Sequence, residues 1–197
     1  MSQLEERVRY LFGVSIEAQV SVADLLSPVI AQAGQRLSDC LLNDGKILIC
    51  GQGGSAANAL HFSTALLNHF EVERPSLPVL ALVTDGAVLS GVVSEGHAEQ
   101  MFSRQIQALG QSNDVLVALT TSGNSSGILR AIDAANGRGM DTIVLNGRDG
   151  GVLASHLGPE DIEMRVPGDT SSRIREIHLF ILHCMCDLID QSLFGQN

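Results

Sequence analysis

Two short loops carry the residue types that hold a phosphate. Gly51-Gln52-Gly53-Gly54-Ser55 follows the apolar run Lys46–Cys50 and leads into a segment of helical spacing. A turn with so few side chains lets a ligand reach the backbone, and a helix starting there offers free N–H groups. The second loop, residues 120–127, places Thr120, Thr121, Ser122, Ser125 and Ser126 around Gly123 where another apolar run enters a helix. Hydroxyl and backbone donors brought together in this way suit a phosphate monoester. The candidate contacts for a sugar phosphate are Thr120, Thr121, Ser122, Asn124 and Ser125 at the phosphate, with the carbon chain reaching toward Gly53, Gly54, Ser55 and Asp85. Gly51, Gly53 and Ala56 also satisfy the dinucleotide pattern G-x-G-x-x-G/A, with Asp85 placed to meet a ribose hydroxyl. A dinucleotide fold has no use for a second hydroxyl-rich anion loop, so the sugar phosphate is the better reading.

The elements that must position these loops follow from hydrophobic spacing. Apolar residues recur every three or four positions from about Leu4 to Leu42, interrupted near Pro28, which predicts two helices joined by a short break. Beyond the turn signal Asn43-Asp44-Gly45 come five short β-rich runs at 46–50, 79–84, 114–120, 141–146 and 162–167. They are almost continuously apolar and alternate with helix-length segments, as strands buried on both faces of a parallel sheet require. A doubly wound α/β domain follows, closed by a long helix over Ser171 to Phe194. Ligands of such sheets bind at the carboxyl ends of the strands, where both loops fall.

The chain has 197 residues and a formal charge of −10 with 12 basic residues, a balance that repels a nucleic-acid backbone. Cys40, Cys50, Cys184 and Cys186 lie in apolar stretches rather than in a spaced framework. With no charged-then-apolar leader read at the start, this predicts a reduced, cytoplasmic protein. No uninterrupted apolar run approaches the roughly 18 to 20 residues of a bilayer span, so no membrane partner is expected and the high apolar content points to oligomerisation.

Strand-GxGGS-helix, strand-TD, strand-TSGNS-helix, strand-GxDGG (Gly147–Gly151) and the RIREIH stretch (173–178) together resemble the sugar isomerase (SIS) domain family. Within it they are similar to the branch of phosphoheptose isomerases and DnaA initiator-associating proteins (DiaA), a likeness extended by residues 73–78 and 187–194. The resemblance implies a five-stranded parallel sheet flanked by helices in three layers, flavodoxin-like. Residues 1–43 would form an oligomerising helical segment of the same domain, and residues 44–197 its phosphosugar-binding part. It also implies a homotetramer with pockets close to subunit contacts.

Phosphoheptose isomerases move a proton between adjacent carbons of sedoheptulose 7-phosphate through an enediol. The family's zinc ligands are a histidine and a glutamate one helical turn apart, with a glutamine and a histidine on the last helix. His61 matches the first and His183 the last, whereas Ala65 and Arg175 stand at the other two positions. Two nitrogens fall short of the four ligands zinc takes, and Arg175 brings a fixed cation where a dication would sit. Gln52, Ser172 and Ser94-Glu95 depart from the family pattern as well. These losses imply a DiaA-like tetramer that keeps a phosphosugar pocket, lacks zinc and has lost isomerisation. Its partner would be the replication initiator DnaA, with Leu193 and Phe194 as the contact, a pair that equally suits terminal helix packing.

The alternative is a phosphoheptose isomerase of lipopolysaccharide heptose synthesis, using zinc if active, with Glu95, Glu176 or His183 taking over lost roles. Glu176 and His183 are seven apart and share a helix face, a candidate acid–base pair. His178 and His183 lie about 140° apart around the helix, so one is expected at a subunit contact and the other in the pocket. Cys184 and Cys186 are read as helix packing rather than soft-metal ligands.

Overall fold

The computed structural model describes residues 2–195. The Ser2 hydroxyl accepts the Glu5 N–H and the Glu5 carboxylate accepts that of Ser2, a reciprocal cap that starts α1, Gln3–Leu42. This is one continuous helix, not the two expected from Pro28. Pro28 removes one rung of the ladder, but it and Asp24, whose carbonyl loses the partner, are both exposed to solvent. Val22 and Leu26 before the proline, and Ala33 and Leu37 after it, are buried in the same core, and that packing carries the helix through.

The strands are β1 (Ile47–Gly51), β2 (Val79–Ala81), β3 (Val115–Leu119), β4 (Asp141–Gly147) and β5 (Ile162–Val166). All pair in parallel, in the order β2-β1-β3-β4-β5, the flavodoxin-like doubly wound arrangement. β2 is shorter than its apolar run because, after Leu82 donates to the Ile49 carbonyl, the chain turns into α3 (Gly86–Ser94), capped by Asp85. α2 (Gly54–Leu67) follows β1, α4 (Ser103–Leu109) precedes β3, α5 (Ser126–Gly137) follows it and α6 (Ser171–Phe194) closes the chain.

Alternation along the strands divides the core in two. Ile47, Ile49, Val117 and Ile143 face α1, α2 and α6, whereas Leu48, Leu116, Ala118 and Val144 face α4 and α5. Both faces are dry, which is why the strands read as continuous apolar runs. Buried Asp114 ties the starts of β1 and β3 together, accepting from Lys46 N at 2.9 Å, Lys46 Nζ at 2.6 Å and Gln111 N at 2.8 Å.

α1 and α6 are each apolar enough to span a bilayer by length and mean hydropathy, 1.4 and 1.3 over their most apolar stretches, though neither is uninterrupted. α6 earns its hydropathy inside the fold, burying Ile174, Ile177, Ile181, Met185 and Ile189. Cys186 is buried among them, its thiol pushed up to about 12 chiefly by burial. The first half of α1 instead exposes a stripe at every fourth residue, Leu4, Val8, Phe12, Ile16 and Val20.

Candidate functional site

The two loops meet at the carboxyl ends of β1 and β3, the neighbouring strands between which the sheet order reverses. They enclose a polar cavity of about 150 Å³ lined by Ser55, Thr120, Thr121, Ser122, Ser125 and Arg175, with Gln52 at its side. Gly123 makes the loop possible. Its φ of +66° is left-handed, and a Cβ there would lie 1.8 Å from the Gly150 carbonyl oxygen, so the 120–127 and 147–151 loops touch backbone to backbone. Thr120 Oγ1 accepts from the Gly123 N–H at 3.2 Å, and Ser125 Oγ caps α5 by accepting from Ile128 N at 3.3 Å. The Ser125 hydroxyl also donates to Gln52 Oε1, joining the two loops. Thr121 Oγ1 donates to Ser171 Oγ at the head of α6, 3.1 Å away. Among the described residues the buried Ser55 hydroxyl has no internal hydrogen bond, leaving it free for a ligand.

Asn124 points elsewhere. Its Oδ1 accepts from Val152 N at 3.0 Å and its amide donates to the Ser122 carbonyl, so it braces the loop from outside. Asp85 caps α3 by accepting from Val88 N at 3.0 Å, and it lies exposed beyond the cavity lining. Gly53 and Gly54 form the turn into α2, as the sequence suggests.

A second feature runs from this cradle along the seam between α2 and α6. Asn58 Nδ2 donates to the Arg175 carbonyl at 3.0 Å, and farther along His61 Nε2 and His183 Nε2 lie 2.8 Å apart. Six residues separate Ser55 from His61 on α2, about 9 Å along the axis. Burial first, and neighbouring His61 second, hold His183 below the usual histidine value. At this separation one Nε2 donates and the other accepts. His183 also lines an apolar groove of about 640 Å³ between α1 and α6, with Phe70, Phe180 and Leu188 among its walls.

These residues do not fit zinc. The two histidines bond each other, and buried Ala65 beside them has no donor atom. Among the described residues no three His, Cys, Asp or Glu side chains are arranged to hold a metal. Arg175 does not stand in for the dication at the histidines: its guanidinium turns into the hydroxyl-lined cradle and lies against Gly54.

Other candidates lie apart. Glu176 is exposed and accepts from Ser15 of α1 at 2.9 Å and from Arg173, with no bond to His183. Leu193 and Phe194 pack on the core, with Arg74 stacked 5.9 Å from the Phe194 ring. That places them in terminal helix packing. His178 lies neither at an exposed face nor in the cradle lining, as the helix angle had suggested for one histidine or the other. It is fully buried, its Nε2–H donating to the Asn146 carbonyl at 2.9 Å while Nδ1 has no partner. Burial drives its value down to about 4, with Arg175 adding in the same direction, so it stays neutral.

Asn146, also buried, donates to the Gly150 carbonyl at 2.9 Å and to Glu163 at 2.7 Å. This network supports the loop on which Gly123 rests. Neither its role nor that of Arg175 was visible from sequence spacing, because both depend on which way a side chain turns.

The comparisons agree with this geometry. The SIS domain family matches residues 14–147. The chain is 53% identical over 190 residues to a phosphoheptose isomerase from Halorhodospira halophila, covering 96% of both proteins. The solved phosphoheptose isomerase of Francisella tularensis superposes with a TM-score of 0.92 at 44% identity, over 97% of this chain and 100% of that one. That of Neisseria gonorrhoeae gives 0.90 at 41% identity, over 96% and 100%. Relatives this similar over nearly the whole chain overturn the expectation of a DnaA-associating regulator, which had rested on Ala65, Arg175, Gln52, Ser172 and Ser94-Glu95. A handful of local departures weigh less than identity across nearly the whole chain. By sequence and by architecture this chain belongs to the SIS domain family.

Proposed function

We propose that this protein is a sugar-phosphate isomerase of the phosphoheptose type, interconverting sedoheptulose 7-phosphate and D-glycero-D-manno-heptose 7-phosphate. The observation that carries the reading is the hydroxyl cradle of Thr120 to Ser125 at the strand ends, in a chain 53% identical to a protein of that name.

The phosphate binds in the cradle and the carbon chain runs along the α2–α6 seam toward His61 and His183. Isomerisation removes a proton from the carbon beside the carbonyl and returns one to the former carbonyl carbon, so the groups there must both accept and donate. The histidine pair has this capacity. One nitrogen of the 2.8 Å contact must be bare and the other protonated, and a substrate that parts the rings meets a base and an acid together. Because the donor set does not fit zinc, every step falls to side chains. Glu176, tied to Ser15 and Arg173, is left as a support for α1 rather than a base.

The same reading includes a homotetramer whose other subunits cover the exposed apolar stripe of α1, and a reducing cytoplasmic setting that suits four free thiols. The test is conversion of sedoheptulose 7-phosphate followed by NMR, with wild-type protein beside His183→Ala. Turnover by the wild type that disappears in the variant is expected. A wild type that binds the sugar phosphate without converting it would overturn isomerisation and leave a phosphosugar-binding protein.

A further inference from the structure

Among the described residues Arg175 is the single charged side chain lining the cradle, in a molecule with ten more acidic than basic charges. The other arginines near the core have partners. Arg74 is bonded to Asp190 at 2.7 Å and to the carbonyls of Ala65, Leu66 and Pro75, and Arg165 is bonded to Glu163 at 2.6 Å. Among the described residues the Arg175 guanidinium has no carboxylate within salt-bridge distance and no hydrogen-bond acceptor.

Its position makes that isolation costly. α2 begins at Gly54, α5 at Ser126 and α6 at Ser171, and all three amino-terminal ends converge on the cavity. A helix amino terminus carries partial positive charge, so a guanidinium among three such ends is repelled unless an anion sits between them.

The fold makes room for it nonetheless. A Cβ on Gly54 would lie 2.6 Å from Arg175 Nε, 2.7 Å from Cδ and 2.9 Å from Cζ. Gly54 is helical and free of backbone strain, and the flexible end of the arginine lies in the space a side chain there would enter. The Asn58 amide, donating to the Arg175 carbonyl at 3.0 Å, fixes the backbone from which the side chain departs.

We infer that Arg175, seated over Gly54, is the cationic clamp of this cradle and sets its specificity for a phosphate dianion. The inference rests on the sugar-phosphate reading and deepens it. The hydroxyls and amides of 120–125 are neutral donors, several already engaged within the loop. The guanidinium adds fixed charge and a planar fork that meets two phosphate oxygens at once, which neither a glutamine nor a lysine reproduces. A phosphate monoester carries about −1.5 to −2 charges at pH 7, so the clamp separates phosphorylated sugars from free ones. It also gives this chain a positive group of its own where the family's pattern relies on a neutral residue.

Calorimetry with inorganic phosphate and with sedoheptulose 7-phosphate, at two salt concentrations, tests the clamp on wild type, Arg175→Gln, Arg175→Lys and Gly54→Ala. Arg175→Gln should weaken both ligands about 10- to 100-fold and flatten the salt dependence. Arg175→Lys should fall between, and Gly54→Ala should weaken binding while keeping the charge. Because Arg175 is only partly buried, Arg175→Gln should fold, which circular dichroism checks. Wild-type affinity and salt dependence in Arg175→Gln would overturn the clamp and leave the sugar-phosphate reading standing. A wild type that binds neither ligand would overturn both.

Discussion

The hydroxyl-lined cradle and the histidine seam share two helices, α2 and α6, yet they are built in opposite ways. In the cradle the 120–125 loop is tied to its surroundings: Thr120 and Ser125 cap backbone amides, Asn124 braces it from outside through Val152, and Gly123 rests on Gly150 above the Asn146–His178 network. Of the polar side chains in its lining, among the described residues only the Ser55 hydroxyl and the Arg175 guanidinium lack such a tie. At the seam two imidazoles bond each other and buried Ala65 contributes no polar atom. A grip shared among backbone and several loop groups weakens by steps as single side chains are lost, whereas proton transfer rests on one or two. The two ends can therefore diverge independently: Ala65 stands at the seam, Arg175 and Gln52 at the cradle.

Gly123→Val should break the comparison most severely. It forces a branched side chain into left-handed backbone and against the Gly150 carbonyl, at a cost of roughly 3 kcal/mol or more. Thermal unfolding should show the loss, and sugar-phosphate binding should vanish even in the fraction that folds. Retained affinity would mean that the loop contact does not shape the cradle.

Acid should also reach the protein through the foundations of the cradle. His178 is neutral when folded, its value lowered to about 4 by burial, and returns to the ordinary 6.5 when unfolded. The unfolded chain thus binds the extra proton between those values, so stability is level above about pH 6.5 and falls progressively toward 4. The expected loss is a few kcal/mol at the acid end. His178→Gln should flatten that part of the melting-temperature profile, and an unchanged profile would place the acid sensitivity elsewhere.

At the seam, His183→Ala should lower kcat roughly a hundredfold or more while the dissociation constant for inorganic phosphate stays nearly level. Equal losses in both would mean that the two ends are not separable.

How much of this was legible in the sequence depended on distance along the chain. The five strands show as apolar runs because both their faces are dry, and the Thr120–Gly127 loop shows because its hydroxyls and glycines are contiguous. α6 kept its sequence-read bounds for the same local reason. Pro28 misled because the core contacts that keep α1 continuous, such as Leu26 and Leu37 in the cluster with Ile181, come from distant segments. The end of β2 was overrun because the Thr84-Asp85 cap, rather than apolarity, decides where α3 begins. Arg175 and His178 could not be assigned from spacing: they are three residues apart on one helix, yet one enters the cradle and the other the core.

The smallest expected effect sharpens the comparison most. Ala65→Glu introduces a carboxylate one helical turn from His61, on the face that meets His183. A nearby negative charge favours the imidazolium, so the histidine pair should take up its second proton about one pH unit higher than in the wild type. The base form is then lost earlier on acidification, and the acidic limb of the kcat/KM profile should move up by the same amount. Phosphate binding at pH 8 should hold steady, because the new carboxylate lies about 15 Å from Ser55 along α2. A shifted limb with constant phosphate affinity would identify the seam as the proton-transfer end. A limb that stays in place while the histidine resonances shift would remove His61 and His183 from the chemistry and leave the cradle as the part of the site that is understood.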